Sequence, residues 1–117
     1  MTADVKIYYN PKCSKCRLSL ELLEQEGQRA EVIEYLNTAP DAATLVSILN
    51  MLGMEPRDLM RKHEKEYTGA GLDNPELSRT DLINAMIKYP RLIERPIVIN
   101  NGKAIIGRPP EKILDIL

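Results

Sequence analysis

The chain has no tryptophan and no phenylalanine; five tyrosines supply all its aromatic rings, 4% of 117 residues. Its core is therefore expected to be aliphatic, with tyrosines at the edges. The same shortage removes the stacking platforms that single-strand nucleic-acid binders use. Histidine occurs once, at His63, and cysteine twice, at Cys13 and Cys16. A structural zinc normally takes four donors, so one C-x-x-C with no histidine pair leaves no expected metal site. Neither sign of charge dominates: 16 basic against 17 acidic residues leave a net charge of −1. That argues against direct nucleic-acid or anionic-membrane binding as the main business of the chain. No apolar run approaches membrane-spanning length. Met1-Thr2-Ala3-Asp4 has neither the basic head nor the apolar stretch of a secretory signal. Gly69-Ala70-Gly71 lacks a following Lys-Ser/Thr and follows no strand, so it reads as a turn and not a phosphate loop.

What is present is an ordinary globular composition, 44% hydrophobic and 28% charged, in a length that suits one domain over residues 1–117. Residues 5–9 alternate as a short strand. A helix follows from Cys13 to about Glu26, stopped by Gly27. Residues 30–36 read as a second strand, completing a β-α-β unit with a parallel pair. Thr38-Ala39-Pro40-Asp41 resembles a capping box ahead of a helix that runs to Gly53. A short helix is predicted from Pro56 to about Lys62, a loop over 68–77, and a helix opened by Ser78-Arg79-Thr80-Asp81 and ended by Pro90. Pro96 to Ile99 and Lys103 to Ile106 form strands around Asn100-Asn101-Gly102, a primed-turn hairpin signal. A last helix is predicted from Glu111 to Leu117. The order β-α-β, a helical insert over about 38–90, then β-β-α predicts an α/β fold with a four-stranded mixed sheet and helices on its faces.

The chemistry concentrates at Cys13-Ser14-Lys15-Cys16. Free N–H groups and the positive end of a helix dipole favour a thiolate, and the thiolate is the nucleophile. Cys13, nearer the helix end, is the candidate nucleophile. Cys16 lies deeper on the apolar stripe with Leu20 and Leu23. It reads either as a resolving thiol or as a small buried hydrophobe. The spacing of the pair permits a disulfide. Two close cysteines in a chain without a signal point to redox chemistry in a reducing, cytoplasmic compartment. In redox folds of this strand order a cis-proline faces the thiol just before the third strand. Pro96 stands there, and Arg95 before it would project toward Cys13. Arg108, in Gly107-Arg108-Pro109-Pro110, and Arg61, in Leu59-Met60-Arg61-Lys62, are further candidates. Arginine forks suit tetrahedral oxyanions, and clustered arginines lower a thiol pKa. Each also fits a solvated surface charge or a partner for a nearby Glu. His63 reads as solvated.

Tyr8-Tyr9-Asn10-Pro11-Lys12-Cys13, Leu59-Met60-Arg61-Lys62, Glu94-Arg95-Pro96-Ile97-Val98 and Gly107-Arg108-Pro109 occur in that order. Together they resemble the glutaredoxin-coupled arsenate reductase family, over Val5 to Leu117. The resemblance implies a thioredoxin-like fold with a helical insert. It implies Cys13 as nucleophile, Arg61, Arg95 and Arg108 as the holders of arsenate and its product, and Pro96 as the cis-proline. No cofactor is implied; glutathione is the co-substrate, glutaredoxin the partner, and a monomer is expected. In that family the thiolate forms a thiol–arsenate ester, glutathione reduces the arsenic and leaves a mixed disulfide, and glutaredoxin resolves it. Two positions depart from the pattern: Tyr9 replaces a histidine, and Cys16 replaces a serine. The C-x-x-C is similar to the related Spx-type regulators, which use it as a redox switch on RNA polymerase. Two alternatives therefore stand beside arsenate reduction: a general thiol–disulfide oxidoreductase using Cys13 and Cys16, and an Spx-type redox-sensing regulator.

Overall fold

The computed structural model describes residues 5–117 and divides into two compact units. One joins the residues up to Thr38 with Arg95–Leu117; the other is Ala39–Glu94. The Met1-Thr2-Ala3-Asp4 reading lies outside the described residues.

The first unit is built on four strands, β1 (Val5–Tyr8), β2 (Ala30–Ile33), β3 (Ile97–Asn100) and β4 (Lys103–Ile106). Their order is β2-β1-β3-β4. β1 pairs parallel with β2 and antiparallel with β3, so the sheet is mixed. The turn between β3 and β4 places Asn101 at φ 56° and Gly102 at φ 77°. Both are left-handed, as a two-residue primed turn requires, and Asn-Gly tolerates this best. Helix α1 (Ser14–Gln25) connects β1 to β2. Val5, Ile7, Leu23, Val98 and Ile113 are fully buried and form the core of this unit. Tyr35 is only 2% exposed and belongs inside the protein, not at an edge.

Two local expectations in this unit change. The second strand stops at Ile33, because Tyr35 N–H returns to the Ile33 carbonyl at 3.0 Å and Asn37 N–H to Glu34 at 3.0 Å, closing a turn. The C-terminal segment Pro110–Ile116 is a 3₁₀ helix rather than an α-helix. It opens after two prolines with an i→i+3 bond, Lys112 N–H to the Pro109 carbonyl at 3.1 Å, the spacing of that tighter helix.

The second unit is helical: α2 (Ala42–Leu52), α3 (Pro56–Leu59), α4 (Lys65–Gly69) and α5 (Arg79–Lys88), then a 3₁₀ turn Pro90–Leu92. Asp41, not Thr38, caps α2: its carboxylate accepts from Thr44 N–H at 2.8 Å. Pro40 therefore precedes the cap instead of opening the first turn. The Ser78–Asp81 box at α5 forms reciprocally at 3.1 and 3.0 Å. α3 ends earlier than expected because Met60 turns extended and bridges to Ile93. α4 covers the start of the predicted loop. Arg57 anchors α4 and the residues after it, donating to the Tyr67 hydroxyl at 2.8 Å and the Leu72 carbonyl at 2.6 Å. Packing against α5 comes from α2, α3 and the 3₁₀ turn.

Candidate active site

The register of the sheet decides which loops meet. Tyr8 at the end of β1 pairs with Ile97 at the start of β3, and Ile97 pairs with Ile106 at the end of β4. Three chain segments therefore leave one end of the sheet side by side. They are the Asn10–Cys13 loop, the Arg95–Pro96 approach and the Gly107–Pro109 exit.

The first segment presents the thiol. Asn10 organises it: its side chain accepts from Lys12 N–H at 3.0 Å and its carbonyl from Cys13 N–H at 2.9 Å. Such a side-chain-to-backbone turn is what asparagine favours before a helix. Cys13 is then the N-cap of α1, with φ −93° and ψ 120°. Its carbonyl accepts the first helical bond, from Arg17 N–H at 3.1 Å. Serine or aspartate would normally fill this position and accept from the N–H groups two and three residues on. Here sulfur occupies it. No formal side-chain cap bond forms, yet the N–H groups of Cys16 and Lys15 still stabilise the sulfur anion.

Burial acts hardest on the Cys13 thiol and pushes its pKa up. The Cys16 N–H, the Cys16 side chain, the Arg95 charge and the Lys15 N–H together outweigh it, leaving the pKa below its ordinary value. Cys16 goes the other way. Burial drives its pKa up to about 12; a backbone bond from Asn10 pulls it down, Cys13 raises it as bonding partner and as charge, and Arg95 lowers it slightly. Both cysteines are free. The pair is one acidic thiol with a neutral thiol donating to it.

The other two segments bring positive charge. The Arg95–Pro96 bond is cis, and so is Arg108–Pro109. Arg108 donates through Nε to the Arg95 carbonyl at 2.7 Å. Its Nη2 stands 3.8 Å from the Cys13 sulfur. The structure thus assembles Cys13, Cys16, Arg95, Pro96 and Arg108 within one unit.

Arg61 belongs to the other unit. Its N–H donates to the Leu92 carbonyl at 2.7 Å, and its side chain pairs with Glu64 at 2.5 Å and Glu94 at 3.7 Å. His63 Nε2 lies 3.0 Å from its Nη2. The ion-pair reading of Arg61 is thus realised in its own surroundings. Tyr9 packs against the aliphatic core of the first unit. Among the described residues no group of His, Cys, Asp and Glu is placed to hold a metal ion. No helix among them is long and apolar enough to cross a membrane.

Sequence reasoning overlooked Asn10 as the organiser of the thiol loop and Gly107 as more than a member of its motif. The first was legible as an Asx signal before Pro11. The second had no local signal, because its neighbours come from distant segments.

A cysteine at a helix N-terminus beside a cis-proline, on this four-stranded mixed sheet, defines a thioredoxin-like fold carrying a redox-capable thiol. The chain belongs to the ArsC family, which it matches over residues 8–116. It is 48% identical to an arsenate reductase of Neisseria meningitidis serogroup B, over 97% of this chain and 98% of that protein. It is 52% identical to an uncharacterized protein, YfgD, of Escherichia coli K12, over 100% of this chain and 99% of that one. Among solved structures, an arsenate reductase from Vibrio cholerae superposes with a TM-score of 0.96 at 47% identity, over 100% of both chains.

Proposed function

We propose that this protein is an arsenate reductase dependent on glutathione and glutaredoxin, with Cys13 as its nucleophile. The observation that carries the reading is the Arg108 guanidinium 3.8 Å from the sulfur of a helix-capping cysteine. A thiolate and a forked cation side by side suit a tetrahedral oxyanion: one attacks its centre while the other binds its oxygens. The relatives called arsenate reductase identify arsenate as the oxyanion to try first.

In the proposed reaction the Cys13 thiolate attacks arsenic. An S–As bond forms and one oxygen leaves as water after taking up protons, giving a thiol–arsenate ester. A glutathione thiolate then attacks the Cys13 sulfur. The S–As bond breaks, its electron pair stays on arsenic, and arsenite departs. Cys13 is left in a mixed disulfide with glutathione. Glutaredoxin takes over the glutathionyl group by thiol–disulfide exchange and returns Cys13 as thiolate. Arg95 and Arg108 hold the oxyanion and stabilise the leaving thiolate. Arg61 enters as a further oxyanion ligand from the family resemblance alone. Cys16 supplies a hydrogen bond to the Cys13 anion; its raised pKa disfavours the role of attacking, resolving thiol.

Steady-state arsenate reduction with glutathione and glutaredoxin tests the reading. Arsenate-dependent oxidation of glutathione is expected, and its absence from folded protein sinks the assignment. Turnover of disulfide substrates without any response to arsenate would favour the general oxidoreductase.

A further inference from the structure

Gly107 lies where the exit from β4 crosses α1. A Cβ built on it would come within 2.6 Å of the Ser19 hydroxyl, 2.9 Å of Pro96 Cγ and 3.3 Å of Ile113 Cγ2. The first two distances are shorter than real Cβ contacts, and the proline ring is a rigid neighbour. Ser19 is fully buried in α1, and its hydroxyl has no hydrogen-bond partner among the described residues. That is a costly placement for a polar atom. Gly107 N–H donates to the Pro96 carbonyl at 3.0 Å, so the close approach is also fixed from the β3 side. The next residue is Arg108, whose guanidinium is aimed at Cys13.

We propose that Gly107, seated on Ser19 and Pro96, is a positioning residue that sets the distance between Arg108 and the Cys13 sulfur. The missing side chain lets the exit strand lie flat against α1, the same helix that Cys13 caps. Any atom added at this contact lifts the segment and carries the guanidinium away from the thiol. The effect on oxyanion binding rests on the proposed arsenate chemistry; the effect on the thiol does not.

The test compares Gly107→Ala, Ser19→Ala, the double variant and Ser19→Thr with the wild-type chain, each checked for native circular dichroism. The primary readout uses no arsenate: the pH midpoint of Cys13 alkylation by iodoacetamide, followed by mass spectrometry. Gly107→Ala is expected to raise that midpoint by about one pH unit, the low end of what a neighbouring charge contributes. Ser19→Thr, which crowds the contact from the helix side, should move it the same way. In the double variant, loss of the hydroxyl removes the shorter of the two close contacts while that with Pro96 Cγ stays, so the midpoint should move part of the way back toward wild type. In arsenate turnover, Gly107→Ala should raise KM about tenfold, the size of one lost charge-assisted hydrogen bond, with a smaller change in kcat. Wild-type midpoints in folded Gly107→Ala and Ser19→Thr overturn the proposal, as does a double variant no nearer wild type than Gly107→Ala. A chain inactive on arsenate that still shows the midpoint shifts would refute the arsenate reading and leave the positioning role standing.

Discussion

The tip of α1 and its buried flank carry the same side chain one turn apart, and the protein treats the two oppositely. Cys13 is 6% exposed and Cys16 fully buried, a small difference in exposure. Yet the Cys13 pKa falls below its ordinary value while that of Cys16 rises to about 12. Burial raises both. What separates them is the balance of partners: at the tip, N–H groups and arginine charge converge on one sulfur and outweigh burial, while on the flank the Cys13 sulfur adds to burial and the pulls of Asn10 and Arg95 do not offset them. Reactivity at this helix is therefore a matter of donors and charge more than of accessibility.

The contrast breaks most visibly in activity. Cys13→Ser should abolish arsenate reduction to the assay background. Cys16→Ser should keep it within about tenfold, since a hydroxyl replaces one hydrogen-bond donor with another. Equal loss in both variants, measured as kcat, would make Cys16 a participating nucleophile and erase the distinction. Alkylation sharpens the contrast next. At pH 7 iodoacetamide should modify Cys13 alone in native protein, and Cys16 only after denaturation, as read by peptide mass. The smallest effect is on stability. Between the ordinary thiol value of 9.0 and about 12, the folded chain keeps the Cys16 proton that the unfolded chain loses. The unfolded state then binds fewer protons, so stability contributed by neutral Cys16 is complete below that window and declines as pH rises through it. Urea midpoints across the window should fall more steeply for wild type than for Cys16→Ser; parallel curves would show that Cys16 titrates normally.

Much of the thiol's setting was legible in the sequence because it is local. The strand, the Asn-Pro loop and the capping cysteine occupy consecutive residues, and Asn101-Gly102 names its own turn. Arg108 was readable as a candidate, but its neighbour was not: only the pairing of Ile97 with Ile106 brings that segment beside Pro96. Gly107 stood out as part of a motif, while its reason lies on α1 at Ser19. Two of the local misreadings share one cause. Proline ahead of Asp41 and the pair Pro109-Pro110 signal that a helix begins, without fixing which residue caps it or whether its bonds span three residues or four. Arg57 was passed over in the sequence, because its carbonyl partners at 72 and 74 carry no sequence signature.

The hairpin turn at Asn101-Gly102 lies at the end of the sheet away from Cys13, where Val5 pairs with Asn100. That gives the sheet a working end and a plain end. A fluorophore or affinity handle attached at the plain end would report on the chain while leaving the thiol's surroundings untouched. The same turn is the natural place to splice in a reporter peptide, since Arg95 and Arg108 flank the opposite ends of the two strands it joins.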